Sequence, residues 1–472
     1  MSASFFWYDL ETSGTHPGRD RVLQFAGVRT DKNLESIDAP VNLFCFPGND
    51  LIPEPGAIAT TGLRMSELIH KGMNETSFFA AIAREFEVPG TCVLGYNSIR
   101  FDDEFTRYGF YRNFIDPYAR EWRNGNSRWD VIDLFRMARA LRPDGVVWPE
   151  NDDGSPDFRL AYLAAANQIS YGDAHDAVTD VLHTVAMARL VRRAQPKLFD
   201  FMFRLRDKHA VSKIIYPLRK EPVVHVSSMY SGQQSNLSVV MPLCAHPDNR
   251  NGVLCYDLRV DPASFMTLSA EEIRDRIFTP RTDLEANGWI RLPIKTVHLN
   301  RCPALSPLTT LRRHDAERIG LDLDQIAAHA TQLQSDTADA LATSVQLAFS
   351  TREFDPVTDP DRMLYGGGFF SDGDRAKMQE LRGMDPMTLA AGTPPFDDPR
   401  VPQMVFRYRA RNFPETLSTE DRASWDDYRI HQFGTDERLQ NAITDTEHRL
   451  QHAPNEALSD LLEYLRTLGI SR

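Results

Sequence analysis

The chain has 472 residues, 42% of them hydrophobic and 25% charged, with a formal net charge of −13 at pH 7. That length exceeds what one hydrophobic core supports, so two to four domains are expected, and the acidic balance excludes a generic polyanion binder, leaving any nucleic-acid contact to local positive charge. Five scattered cysteines without a C-x-x-C pair argue against a disulfide framework or structural zinc, no apolar run approaches the ~20 residues of a membrane span, and the N-terminus lacks the basic region of a signal peptide; a reducing cytoplasm is the expected compartment.

The first element is "FFWYDLETSG" (5–14), where four aromatic residues run into Asp9 and Glu11. The aromatics predict a buried strand. Alternation along a strand puts Asp9 and Glu11 on one face, about 7 Å apart, a spacing that suits two ligands of a divalent ion. A carboxylate at the end of a buried strand either neutralises or finds a cation, because an unpaired buried charge is costly. The D-x-E alone also fits a strand that stops at Tyr8, with both acids in a solvated turn closed by Gly14.

Two further strands, "RVLQFAGVRTD" (21–31) and "APVNLFCFP" (39–47), follow with a turn between them, which predicts an antiparallel start. "MSELIHKG" and "ETSFFAAIAREFEV" have helical spacing, "TCVLGYN" (91–97) reads as a short strand, and a helix begins near Phe101. From there the chain reads as mostly helical to Arg193, broken by the polar loop "WPENDDGSPD" (148–157). Strands, helices, strand, helices make an α/β layer fold. "KLFDFMFRLRDKHAVSKII" reads as one more helix. Between Pro222 and Leu299, "PVVHVSSMY", "NLSVVMPLC", "GVLCYDLRV" and "IKTVHLN" alternate with turn residues, as in a small barrel or sandwich. "DLDQIAAHATQLQ" and "ADALATSVQLAFS" are helical, "YGGGFFSDGD" (365–374) is a Gly-rich break, and helical patterns fill the remainder. The expected domains are 1–195, 196–351 and 352–472.

Three further positions bear on Asp9 and Glu11. "NSIRFDDE" places Asp102 at the strand-to-helix junction, and "HDAVTD" places His175 five residues before Asp180 at the start of a helix. Taken singly, Asp102 could be a helix-start acid favoured by the macrodipole, His175 a loop residue and Asp180 a surface position. Together, four acids and one histidine are expected to converge.

In this order the motifs resemble the DEDDh branch of 3′-to-5′ exonucleases: "DLETSG" is similar to its first motif, "NSIRFD" to its second and "HDAVTD" to its third. "GYNSIRFDDE", "NSRWDVIDL", "WPENDDG", "FRLAYL", "GFFSDGDR" and "YRARNFP" extend the resemblance, over nearly the whole chain, to the bacterial exonuclease I family. The resemblance implies a ribonuclease H-like exonuclease domain with a mixed sheet, then an SH3-like β-rich domain and a C-terminal helical domain that arch over the active site. It also implies a monomer that processively degrades single-stranded DNA to deoxynucleoside 5′-monophosphates in DNA repair and recombination. Two Mg²⁺ ions about 4 Å apart activate water and neutralise the leaving oxygen in such chemistry, and hard cations prefer carboxylate oxygen; Mn²⁺ could substitute. Asp9, Glu11, Asp102 and Asp180 would be the ligands, with His175, whose reference pKa is ~6.5, taking the proton from the attacking water.

A single-strand channel needs aromatic platforms and cations along the phosphates. "YAREWRNGNSRW" (118–129) offers such a mixture, although Trp122 and Trp129 could equally be core residues. By resemblance Glu11 and Arg159 contact the substrate, and Arg107, Tyr118, Trp122, Arg136 and Lys208 are further candidates. Arg407 and Arg411, with Tyr408, share a helical face that fits either DNA or plain solvation. The family also binds the acidic C-terminal tail of single-stranded DNA-binding protein; Arg142 and Arg312 are candidates for that contact, or ordinary solvated arginines. An exoribonuclease using the same acids, and a single-strand-binding scaffold with a decayed site, are the alternatives.

Overall fold

The computed structural model describes residues 4–171, 177–350, 355–433 and 437–468. They form two compact units. The first is Met1–Arg128, Tyr171–Val185 and Pro356–Arg472; the second is Trp129–Ser170 and Ala186–Asp355.

In the first unit, β1 (Ser4–Thr12), β2 (Val22–Thr30), β3 (Val41–Phe44), β4 (Thr91–Gly95) and β5 (Ser127–Asp130), whose last two residues pass into the second unit, form one sheet in the order β3-β2-β1-β4-β5. The aromatic strand is therefore central. It pairs antiparallel with β2, as expected from the sequence, and parallel with β4. The pairing with β4 ends at Trp7 opposite Leu94, so Asp9 and Glu11 run past the end of their parallel neighbour. Phe6 and Tyr8 point into a core with Phe25 and Phe86, ring centroids 5.0–6.2 Å apart.

Helices α1 (Pro55–Thr61), α2 (Met65–Lys71) and α3 (Glu75–Phe86) precede β4, and α4 (Asp102–Arg112) follows it. A Cβ at Gly109 of α4 would lie 1.9 Å from the Phe79 ring of α3. Glycine here allows the close approach of α4 to α3. Farther on come α5 (Ile132–Leu141), α6 (Leu160–Ala166) and α7 (Ala177–Ala194); α7 begins in the first unit and ends in the second.

Where one helix is predicted over "KLFDFMFRLRDKHAVSKII" there are two, α8 (Pro196–Arg204) and α9 (Lys208–Ile215). Asp207 explains the break, because its carboxylate accepts from the His209 amide at 2.9 Å and caps the second helix. The second unit's sheet is antiparallel throughout, with β6 (Val223–Val226), β7 (Leu237–Ala245), β8 (Gly252–Asp257), β9 (Ile294–His298) and β10 (Ala304–Pro307) in the order β10-β6-β7-β8-β9. Two helices, Ala270–Phe278 and Arg281–Ala286, interrupt it between β8 and β9.

The C-terminal helices belong to the first unit. Leu439, Leu458, Leu461 and Leu465 pack with Leu23, Ile58, Met65 and Leu68, and Met404 and Tyr408 pack with Tyr111 and Phe114. Arg407 and Arg411 are buried, which corrects both readings of their helical face. Arg411 Nε lies 2.7 Å from Asp50, another of its nitrogens pairs with Asp361, and Arg407 bonds Asp359. Arg21 and Asp50 at 3.1 Å and Arg112 and Glu75 at 2.8 Å extend the network. All five cysteines are free and buried. Among the described residues no helix is long and apolar enough to cross a membrane.

Candidate active site

Alternation along β1 leaves Tyr8, Leu10 and Thr12 buried and turns half-buried Asp9 and Glu11 to the other face. Asp180, in the first turn of α7, comes to the same place. Carboxylate oxygens of Asp9, Glu11 and Asp180 lie within 4.8 Å of one another. Burial, and then the charge of Asp180, push the Asp9 carboxyl up to about 8. Three hard oxygen donors, one of them desolvated and repelled by its neighbour, fit a divalent cation.

Of the five residues expected to converge, Asp9, Glu11 and Asp180 do so. Asp102 lies buried in the first turn of α4, which follows β4. His175 lies outside the described residues. A residue the motifs did not mark is His183, one turn after Asp180. Its Nδ1 is 3.9 Å from Asp180 and its Nε2 accepts from the Tyr171 amide at 3.3 Å, which holds the ring beside the carboxylate. The i, i+3 spacing from Asp180 was the available signal.

Among the aromatic candidates, Trp122 is 64% exposed with Arg123 over its ring, whereas Trp129 is 1% exposed and packs edge-on to Phe199 and Phe203. The core reading therefore holds for Trp129 alone. Tyr118 stands 6.4 Å from the ring of Phe369, which is 86% exposed. Arg107 is buried, and its guanidinium is occupied by Glu104, Glu121 and the Tyr365 hydroxyl, so in this arrangement it stiffens the aromatic face from beneath. Arg136 is likewise buried, 2.7 Å from Asp133. Arg159 is exposed, held by Asp157 at 2.9 Å and 4.1 Å over the Tyr162 ring, and Lys208 is exposed at the start of α9. Arg142 and Arg312, expected on separate domains, meet within the second unit on the buried carboxylate of Asp315, at 3.6 and 2.6 Å.

Residues 6–188 match the family described as Exonuclease, 206–351 the Exonuclease I SH3-like domain and 358–468 the Exonuclease I C-terminal domain. The exodeoxyribonuclease I of Escherichia coli is 44% identical over 441 residues, 93% of this chain and 92% of the relative. The chain belongs to the exonuclease I family. Solved exonuclease I structures match it along its length: that from Methylocaldum szegediense is 46% identical with a TM-score of 0.93, covering 99% of each chain. The E. coli protein in complex with a dA16 oligonucleotide is 42% identical with a TM-score of 0.95, covering 99% of this chain and 100% of that one. As an exonuclease I, the chain is an exodeoxyribonuclease acting from 3′ ends of single-stranded DNA with divalent metal.

The Asp9 environment sets a pH dependence for that metal. With its folded-state pKa raised from 3.8 to about 8, Asp9 keeps its proton in the metal-free protein near neutrality, and that contribution to stability is lost as pH rises through about 8. A cation must displace the proton. Its affinity should therefore fall, by at most about tenfold per pH unit for one proton, as pH drops from 8 to 6. Thermal-shift titrations with Mg²⁺ should show a larger rise in Tm at pH 8 than at pH 6; equal shifts would place the ionised acid elsewhere.

Proposed function

We propose that this exonuclease I removes deoxynucleoside 5′-monophosphates successively from single-stranded DNA by two-Mg²⁺ hydrolysis, in DNA repair and recombination. The observation that carries the reading is the convergence of Asp9, Glu11 and Asp180. A similar structure, 41% identical with a TM-score of 0.93, is the zinc ion-bound form of an E. coli exonuclease I complex with single-stranded DNA, which supports divalent metal without selecting magnesium. Asp102 would complete the ligand set from the start of α4. The cations would supply charge neutralisation at the scissile phosphate and activation of water. His175 would take the proton of the attacking water, and Glu11 and Arg159 would hold the terminal nucleotide. Trp122 and Tyr118 would offer stacking platforms and exposed Lys208 a phosphate contact, whereas Arg107 and Arg136, buried and paired with acids, would support their surroundings from within. We assign the chemistry to 1–195 and strand guidance to 196–351 and 352–472, in keeping with the family matches. The chain would act as a monomer in the cytoplasm, as five buried free thiols suit. The exoribonuclease and decayed-scaffold readings lose ground to the deoxyribonuclease relatives and the intact acids.

The test is a time course on 3′-hydroxyl single-stranded DNA, matched RNA and duplex, each with Mg²⁺ or EDTA. Release of mononucleotides from the single-stranded DNA alone, abolished by EDTA, is expected. Equal rates on RNA would overturn the substrate, and metal-independent release the mechanism.

The partner reading rests on Arg142 and Arg312. A similar structure, 40% identical with a TM-score of 0.90, is of SSB/exonuclease I. Here two guanidiniums share one buried carboxylate, with Arg318 also within 3.6 Å of it, so positive charge is in excess. An acidic tail ending in a free carboxylate suits that excess. Titrating a labelled tail peptide, Arg142→Ala and Arg312→Ala should each weaken binding by ~1.5 to 3 kcal/mol while naked-DNA hydrolysis is unchanged. Loss of hydrolysis with both would make them substrate contacts.

A further inference from the structure

Directly after Asp102 comes Asp103, 2% exposed, whose carboxylate no part of the metal chemistry uses. It accepts from the Tyr8 hydroxyl at 2.7 Å and pairs with Arg120 and Arg128, each at 2.6 Å. Arg128 also reaches Glu121 at 3.2 Å, Arg107 binds Glu121 at 2.7 Å, and Arg107 binds Glu104 at 2.8 Å. Arg107, Arg120 and Arg128 thus balance Asp103, Glu104 and Glu121. A buried network of zero net charge avoids the cost of an isolated ion.

Its placement gives it a second role. Tyr8 immediately precedes Asp9, and Asp103 immediately follows Asp102, so one hydrogen bond joins the backbone of two acid-bearing elements. It does so where the ladder no longer can, since β4 stops pairing with β1 at Trp7. The two partners face the core while Asp9 faces the site, so a shift of the Tyr8–Asp103 contact displaces the carboxylates from behind. A network that served stability alone could sit anywhere along β1.

We propose that Asp103 is a positioning residue for metal binding: anchored by Arg120 and Arg128, it holds the Tyr8 hydroxyl and so fixes the end of β1, with Asp9 and Glu11, against the start of α4. The inference rests on the reading of Asp9, Glu11 and Asp180 as a metal site. Groups that orient ligands from behind are typically worth roughly 10- to 100-fold in metal affinity or activity.

The test is a Mn²⁺ titration of the full chain, followed by electron paramagnetic resonance, for wild type, Tyr8→Phe and Asp103→Asn, with hydrolysis of single-stranded DNA measured against Mg²⁺ concentration. Tyr8→Phe keeps the ring packed on Phe25 and Phe86 and removes only the hydroxyl. The expected result is Mn²⁺ affinity weakened by roughly tenfold or more, half-saturating Mg²⁺ raised alike, activity regained at high Mg²⁺, and an unchanged KM for the oligonucleotide. Unchanged Mn²⁺ affinity in a folded Tyr8→Phe, with or without a loss of stability, would overturn the inference and leave the network structural. Should Asp103→Asn not fold, Tyr8→Phe still decides. Wild type that binds no Mn²⁺ would instead overturn the metal site itself.

Discussion

Asp180→Ala is expected to bind single-stranded DNA with nearly wild-type affinity and to hydrolyse it slower by several orders of magnitude. The reason is that Asp180 meets Asp9 and Glu11 at carboxylate distance while standing on a different element. Removing it takes away one wall of the metal site and leaves the exposed aromatic face untouched. Asp9→Ala should behave the same way. His175→Ala should lose less, since general-base catalysis contributes about 10²- to 10⁴-fold, and raised pH should restore part of the rate. The measurements are single-turnover nucleotide release and, in parallel, fluorescence anisotropy with a labelled oligonucleotide in EDTA. Substantial release by Asp180→Ala at ordinary Mg²⁺ would remove the two-metal assignment, and a parallel loss of DNA affinity would mean that Asp180 supports the strand.

The second large effect concerns stability. Arg411 is buried between Asp50 and Asp361, and its guanidinium lies 5.7 Å from the Trp425 ring. Arg411→Ala would strand both carboxylates in a dry interior, and breaking one partner of a buried ion pair costs about 3 to 5 kcal/mol. Urea unfolding should show that loss as a lowered midpoint. The sign with pH follows from Asp50, whose carboxyl is held well below the usual range chiefly by Arg411, then by Arg21, against its burial. A depressed carboxylate stabilises the fold above its unfolded pKa and ceases to do so as pH falls through the folded value. The difference between variant and wild type should therefore narrow in acid. A loss under about 1 kcal/mol at pH 7 would be the behaviour of a solvated pair.

How far the sequence could be read depended on whether the deciding partner was local. The end of β1 was legible because four aromatics and a D-x-E alternate within one strand. Strands β5 and β10, four residues each, carry too few residues to establish a period. The break between α8 and α9 hid in a helical pattern because its cause is a single capping aspartate. Arg407 and Arg411 were placed on one helical face, yet whether that face met water or protein depended on Asp50, Asp359 and Asp361, the first of them more than 350 residues away in the chain. Asp102 and Asp103 are adjacent and chemically identical. Nothing local says that Asp103 is the one bound by Tyr8, Arg120 and Arg128. Trp122 and Trp129 posed the same difficulty, resolved only by the packing of Trp129 on Phe199.

The burial of Asp9 on a central strand sets catalysis and thermal robustness against each other in this chain. In the metal-free protein the desolvated Asp9 and the neighbouring Asp180 oppose folding whenever both are ionised. An uncharged amide at position 9 would relieve that repulsion and leave the aromatic core as it is. A change that raises heat resistance at this position would thus remove a proposed metal ligand, a trade of activity for stability. A screen of random variants by residual fold after heating should accordingly enrich substitutions at position 9, so a thermostability campaign on this scaffold has to hold the two acids of β1 fixed.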